Sequence, residues 1–247
     1  MASHVVYVAP AVAMVGLVYS SVGLGGGTMY LALLTLSGIP ILVVPSIVLT
    51  MNTVTASVGW WNFRREGYFS WRLALPLVVT SIPMAFLGGM LRPGEGFLAL
   101  LMAILLLAAA GRMLLPAGGT TTSPPSRNVW LLGPLIGALL GTVSGLVGVG
   151  GGIFLAPLLL QLGWAGHKEA AGITSAFVAL NSASGLLAQS SRSLVNLDLI
   201  LLLAVPALLG GFLGSYLGSK KIRVSLLRKI LAVILVTASI SLMVKML

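Results

Sequence analysis

Cysteine is absent from this sequence, and acidic residues and histidines are scarce. The 247 residues include four Asp and Glu residues and two histidines. Without cysteine, disulfides, thiolate metal sites and cysteine nucleophiles are excluded. His4 and His167 are too few for a metal site, and no paired carboxylates, Ser-His-Asp set or HExxH motif indicates an enzyme. We therefore expect neither catalysis nor a cofactor or metal.

Charge of either sign is also rare. Only 7% of the residues are charged, whereas 58% are hydrophobic. A soluble domain carries about 25% charged residues, but a membrane protein does not need them because its outer surface faces lipid. The net charge of +10 does not indicate nucleic acid binding, since the Lys and Arg residues are scattered over short connections between apolar segments. The composition predicts an all-α integral membrane protein whose partner is the lipid bilayer.

The few carboxylates lie outside the predicted spans. Glu66, Glu95, Glu169 and Asp198 all fall in loops or at segment ends. Proton pumps and cation-coupled carriers usually keep an acidic relay inside the membrane. The sequence therefore argues against a proton-relay mechanism.

About ten apolar segments follow one another, divided by one polar linker. We predict a first membrane repeat over residues 1–115, a Pro-, Ser- and Thr-rich linker over 116–128, and a second repeat over 129–247. The predicted segments are 5–21, 28–38, 40–61, 72–91 and 96–115 in the first repeat, and 129–147, 153–163, 169–190, 197–218 and 225–247 in the second.

The two halves are related by an internal duplication. A glycine stretch at residues 23–28, GLGGGT, recurs at 148–153 as GVGGGI, with an offset of 125. An offset of 130 places Pro76 on Pro206 and Gly88 on Gly218. This self-similarity indicates a repeat architecture.

Segments 28–38 and 153–163 are too short to cross a bilayer alone, because eleven residues reach roughly half of a ~30 Å hydrocarbon core. Each could continue the preceding segment as one kinked helix or turn back at the glycines. With continuous crossings, the 14 Lys and Arg residues divide evenly between the two sides. With a turn at each glycine stretch, only Arg92, Arg192 and Lys245 lie opposite the other basic residues. The positive-inside rule favours this second arrangement.

An odd number of crossings in each half has consequences for topology. The second half then enters the membrane in reverse, giving two inverted repeats with glycine-broken helices at the pseudo-twofold axis, as in many secondary transporters. The protein would lie in the cell membrane, and both of its termini would be extracytoplasmic. All five tryptophans would lie at segment ends on the basic side, as an interfacial belt.

The glycine stretches are the best candidates for a binding site. A glycine break followed by a helix start at Thr28 or Ile153 presents unpaired N–H groups and the positive end of a helix dipole, which suit an anion. Uncharged polar residues cluster after each stretch, at Ser46, Thr50, Asn52, Thr53 and Ser57, and again at Thr174, Ser175, Asn181, Ser182, Ser184 and Gln189. Hydroxyls and small residues also serve helix packing, and we assign Gly210, Gly214 and Gly218 to packing.

The repeated pattern GLGGGTMYLALLTLSGIP and GVGGGIFLAPLLLQLGW, the second followed by HKEAAGITSAF, resembles the sulfite exporter (TauE/SafE) family of membrane permeases. The resemblance covers essentially the whole chain. It implies transport, usually outward, of sulfite, organosulfonates or related sulfur anions, with no nucleic acid partner and with homodimer formation left open. The substrate-binding residues it implies are Gly25, Gly26, Gly27, Thr28, Thr50, Asn52, Ser57, Gly150, Gly151, Gly152, Ile153, Thr174, Ser175, Asn181 and Ser182.

Two other functions stay open from the sequence. One is an anion channel or facilitator for a different substrate. The other is a membrane scaffold or assembly factor that does not transport, in which the glycine breaks only permit tight packing.

Overall fold

A computed structural model describes residues 8–91, 93–114, 128–190 and 197–220, together with Val236 and Ile240. Within these residues the chain is all-helical, as predicted, and forms nine helices. The predicted linker falls outside the described residues apart from Asn128, and so does most of the tenth segment, 225–247. The helices are α1 Ala9–Ser20, α2 Gly27–Leu36, α3 Val44–Arg65, α4 Trp71–Met90, α5 Glu95–Leu114, α6 Asn128–Val147, α7 Gly152–Gln161, α8 His167–Ser190 and α9 Leu197–Lys220.

The outer helices present apolar side chains to the surroundings. Leu131 on α6 is 77% exposed and Leu187 on α8 is 68% exposed. Four helices, within α4, α6, α8 and α9, are long and apolar enough to cross a membrane by length and composition. So much exposed apolar surface is expected of a chain surrounded by lipid rather than water.

The two short helices, α2 and α7, are matched elements. Each has ten residues, and α7 begins 125 residues after α2. Ten residues span about 15 Å, half of the hydrocarbon core. Both helices end in the same way, because the amides of Ile39 and Trp164 reach back to the carbonyls of Leu34 and Leu159. The duplication read from the sequence therefore extends to local backbone structure.

Helices of one half pack mainly on helices of the other. α4 packs on α6, α1 packs on α9, and α3 packs on α8. Glycines allow the helices to approach closely in the α4–α6 and α1–α9 pairs. At these glycines, the position that a side chain would occupy is filled by the backbone of the partner helix. Gly210 and Gly214 of α9 lie against Ala13 and Leu17 of α1, and Gly218 lies against Ser21, the residue after α1. The packing role predicted for these three glycines is thus confirmed.

The middle of the protein is occupied by α2, α3, α7 and α8. Met29, Tyr30, Leu31 and Leu34 of α2 are almost completely buried, as are Leu155 and Leu159 of α7. α2 contacts α3, and α7 contacts α8. Each short helix is therefore supported by the polar helix that follows it.

Aromatic and basic side chains gather where α3 ends and α4 begins. The rings of Trp60, Phe69 and Trp71 pack edge to face, and the guanidinium of Arg64 lies 5.7 Å from the Trp60 ring. This is the composition expected at a membrane interface. Trp164 follows the end of α7 as predicted, but it is only 4% exposed and packs against buried apolar side chains.

Candidate functional site

Each short helix begins at a glycine in the left-handed conformation. Gly26 precedes α2 with φ of 112°, and Gly151 precedes α7 with φ of 71°. A side chain at these backbone angles would be strained, so glycine is required. The carbonyl of each of these glycines accepts two hydrogen bonds from the first turn of its helix. The Gly26 carbonyl accepts from the amides of Met29 and Tyr30, and the Gly151 carbonyl accepts from those of Phe154 and Leu155.

The first amides of these helices point out of the hydrogen-bonded turn. Among the described residues, no acceptor takes the N–H groups of Gly27 and Thr28, or of Gly152 and Ile153. No side chain caps either helix. All four residues are buried. Buried amides at the positive end of a helix dipole are a ready site for an anion.

The two glycine stretches touch each other. A Cβ atom at Gly27 would overlap the carbonyl of Val149, and a Cβ atom at Gly152 would lie 3.4 Å from the Leu24 carbonyl oxygen. The side chain of Val178 on α8 lies against both Gly25 and Gly150. The two helix starts are therefore parts of one site.

Side chains from α3 and α8 bind the carbonyls of the stretches. Asn52 Nδ2 donates to the Gly148 carbonyl at 3.1 Å, so a residue of the first half binds the second stretch. Ser175 Oγ donates to the Gly23 carbonyl at 3.2 Å, which is the converse arrangement. Gly23 and Gly148 are equivalent by the offset of 125. Ser175 is therefore the partner of Asn52 in this exchange.

Several buried polar atoms near these contacts have no hydrogen-bond partner in the described part of the chain. Asn52 Oδ1, Thr174 Oγ1, Asn181 Oδ1 and Ser182 Oγ all belong to side chains with no exposed surface. A buried polar atom left unpaired costs about 1–3 kcal/mol. Three of these residues lie directly on the glycine stretches, because Asn52 and Ser182 approach Gly150 and the Thr174 methyl faces Gly152.

The structure does not bring every predicted residue to the glycines. Thr50 Oγ1 donates to the Ser46 carbonyl in its own helix, and Ser57 lies on the exposed face of α3. Asn181 donates to Phe177 within α8. Thr28 Oγ1 lies 3.4 Å from the Tyr19 hydroxyl. The Ile153 side chain packs in the apolar core, so that residue can contribute only its amide.

Thr55 contacts the first stretch but was not predicted. Its completely buried hydroxyl lies 3.0 Å from the Gly25 carbonyl oxygen and 2.8 Å from the Met51 carbonyl oxygen of its own helix, so its one proton is shared between them. The sequence signal was its position three residues after Asn52, which places the two on one face of α3. The hydroxyls of Ser46, Thr50, Thr53 and Ser57 lie along the opposite side of α3.

In the part of the chain that the structure describes, charge is confined to the helix ends and the connections between helices. Charged residues of the helices occur only in first or last turns, as with Arg64 and Arg65 of α3, Lys168 and Glu169 of α8, and Lys220 of α9. Lys168 Nζ donates to the Ser219 carbonyl at 2.8 Å. The site between the glycine stretches is thus built from backbone and uncharged side chains.

These features define a polytopic helical membrane protein with two broken helices meeting in its core, an architecture used by membrane transporters. The chain belongs to the family described as Sulfite exporter TauE/SafE, which it matches over residues 8–242. It is 30% identical over 239 residues to "Probable membrane transporter protein y4hK" of Sinorhizobium fredii, covering 93% of this chain and 94% of that protein. No solved structure matches the chain significantly.

Proposed function

We propose that this protein is a secondary transporter that exports a small sulfur-containing anion, such as sulfite or an organosulfonate, across the cell membrane. The observation that carries the proposal is the meeting of two glycine-initiated helix starts, with free buried amides, beside unpaired hydroxyls. The family's description names sulfite export, and the relative is named as a probable membrane transporter.

The chemistry of the site suits an oxyanion without a basic side chain. The amides of Gly27 and Thr28 face the anion from one half, and those of Gly152 and Ile153 from the other. The hydroxyls of Thr174 and Ser182 add two donors. Two helix dipoles and several N–H groups favour a single negative charge at a buried position. Binding that uses dipoles rather than an ion pair also lets the anion leave.

The packing of the helices supports the predicted inverted repeats. In the duplication, α1 corresponds to α6 and α4 corresponds to α9. The packing of α4 on α6 is then equivalent to the packing of α9 on α1. A turn back at the first glycine stretch is supported by Tyr30, whose hydroxyl lies 3.0 Å from the Cβ position of Gly16 on α1. In this topology both termini are extracytoplasmic, and the binding site lies near the midplane.

Export needs no proton relay in this mechanism. An inside-negative membrane potential favours outward movement of an anion by ~2.3 kcal/mol per charge for each 100 mV. We therefore expect potential-driven sulfite efflux even when the pH is the same on both sides of the membrane.

Flux measurements on reconstituted protein test the proposal. Proteoliposomes loaded with labelled sulfite should release it when a potential, negative inside, is imposed. Ser182→Ala and Thr174→Val each remove one donor and should slow efflux roughly tenfold, the loss expected for one hydrogen bond to a charged group. Ser57→Ala is the matched control, because that hydroxyl is exposed on the far side of α3.

The alternatives predict other results. A channel would show flux that does not saturate with sulfite concentration. A scaffold would show no flux at all, and Gly26→Ala and Gly151→Ala would then impair folding without any transport to lose. Absence of potential-dependent sulfite or sulfonate flux from folded protein would refute the proposed function.

A further inference from the structure

The side-chain amide of Asn52 is held in one orientation. Its Nδ2 lies 3.1 Å from the Gly148 carbonyl oxygen. A carbonyl oxygen only accepts hydrogen bonds, so the NH₂ group must face it and the Oδ1 atom must point the other way. The assignment of the two amide atoms follows from this contact.

Asn52 Oδ1 is consequently a buried acceptor inside the candidate site. It accepts no hydrogen bond from any described residue, and Asn52 has no exposed surface. The atom lies 3.3 Å from the Cβ position of Gly25, while Nδ2 lies 3.0 Å from that of Gly150. The amide therefore stands between the two glycine stretches, where the proposed anion binds.

An acceptor is unexpected in a site for an anion. The oxygens of a fully deprotonated sulfonate also only accept, so they gain nothing from Asn52 Oδ1 and are repelled by its partial charge. A ligand that combines a negative charge with its own O–H group satisfies both parts of the site. Its anionic oxygens meet the amides and the Ser182 and Thr174 hydroxyls, and its O–H donates to Asn52.

We propose, resting on the function proposed above, that the substrate is an oxyanion carrying its own hydrogen-bond donor, either hydrogensulfite in its O–H form or a hydroxyalkanesulfonate, and that Asn52 Oδ1 selects it. A site built to pair with a ligand hydroxyl discriminates strongly against an analogue without one, because its own polar atom stays unpaired. We expect at least a tenfold preference.

Competition against labelled sulfite efflux tests this with two matched pairs of probes. The first pair is 2-hydroxyethanesulfonate and ethanesulfonate, and the second is hydrogensulfite and methanesulfonate. The members of the first pair differ by one hydroxyl, whereas in the second pair hydrogensulfite carries an S–OH group and methanesulfonate carries a methyl group on a more oxidised sulfur. The hydroxyl-bearing member should compete at least tenfold better with the unaltered protein, and which pair shows the larger ratio identifies the source of the donor.

Variants test whether Asn52 causes the preference for ligands that carry a hydroxyl. Asn52→Val should reduce both ratios to near unity. Thr53→Val is the control, since that neighbouring hydroxyl donates to the Leu49 carbonyl within α3, and it should leave the ratios unchanged. Equal competition by ethanesulfonate and 2-hydroxyethanesulfonate, together with equal competition by the second pair, would overturn the inference while the proposed function stands. Complete absence of sulfite flux would overturn both.

A pH series needs no variant and remains decisive if Asn52→Val fails to fold. Raising the pH converts hydrogensulfite into sulfite dianion and removes the donor from the ligand. Sulfite affinity should therefore fall by tenfold or more as the pH rises, whereas ethanesulfonate affinity, measured in parallel, should stay constant. Sulfite affinity that does not change across this range would refute a role for the ligand's proton.

Discussion

Gly27→Ala is expected to destabilise the protein by forcing the two glycine stretches apart. The added methyl group would overlap the Val149 carbonyl and the Asn52 amide. The first contact is with backbone, which cannot rotate away. Overpacking of a buried site costs about 1–3 kcal/mol and occasionally more. In an unobstructed helix, the same change would instead stabilise by about 0.5–1 kcal/mol.

The mirror position allows the steric argument to be tested by rescue. A methyl group at Gly152 would meet side chains, with Val178 Cγ2 at 2.6 Å and Thr174 Cγ2 at 2.9 Å. Gly152→Ala should therefore be partly rescued by Val178→Ala, with a favourable coupling of about 0.5–3 kcal/mol. Gly27→Ala should gain nothing comparable from the same second change, because the Val149 carbonyl stays in place.

Unfolding of the purified protein in detergent or bicelles, followed by tryptophan fluorescence, measures these differences. Gly96→Ala is the control, because no described atom beyond its chain neighbours and the adjacent backbone of α5 lies within 4 Å of its Cβ position. It should leave stability unchanged or slightly raised. The reasoning is refuted if Gly27→Ala is as stable as Gly96→Ala, or if Val178→Ala rescues Gly27→Ala as well as it rescues Gly152→Ala.

Three further outcomes are expected. Thr55→Val removes a hydroxyl that the Gly25 and Met51 carbonyls share and should lower the free energy of unfolding by about 1 kcal/mol. Thr53→Val, whose hydroxyl contacts only the Leu49 carbonyl of its own helix, should change it little; equal effects in denaturation curves would contradict this. Lys168→Met removes a cation from the Ser219 carbonyl and should cost about 1 kcal/mol, with partial recovery in Lys168→Arg. Single cysteines placed in residues 1–7 and 241–247 should both react with an impermeant maleimide on right-side-out vesicles, and labelling only after permeabilisation would refute the predicted topology.

The backbone of the site could be predicted because glycine repeats leave few alternatives. Three glycines in succession do not sustain a helix, and their recurrence with an offset of 125 locates a second break. The structure places left-handed glycines at both, and α2 and α7 begin at equivalent residues. A local conformational rule was sufficient here, since the glycines themselves determine the break.

The side chains of the site were harder to predict because they depend on helix rotation. Ser46, Thr50, Thr53 and Ser57 form a regular hydroxyl stripe, but Thr50 and Thr53 donate to carbonyls of their own helix. Hydroxyls in helices commonly do so, and spacing alone does not reveal it. Which face of α3 meets the glycines is decided by packing against α8, and long-range packing leaves no signal in a single sequence.

Both halves contain a helix that begins at a left-handed glycine, but the side chains that bind the two glycine stretches differ. This difference affects which ligands the site can orient. Asn52 binds the Gly148 carbonyl through its NH₂ group and keeps a separate, unpartnered acceptor atom, Oδ1, whereas Ser175 has a single polar side-chain atom, Oγ, which binds the Gly23 carbonyl. A symmetric anion would gain nothing from that inequality. An oxyanion with one hydroxyl has a donor end and an acceptor end, and it can be oriented by a site whose halves differ in just this way. Replacing Asn52 by Ala should therefore remove this oriented acceptor, so that sulfite and sulfonates without a hydroxyl are transported with similar affinity.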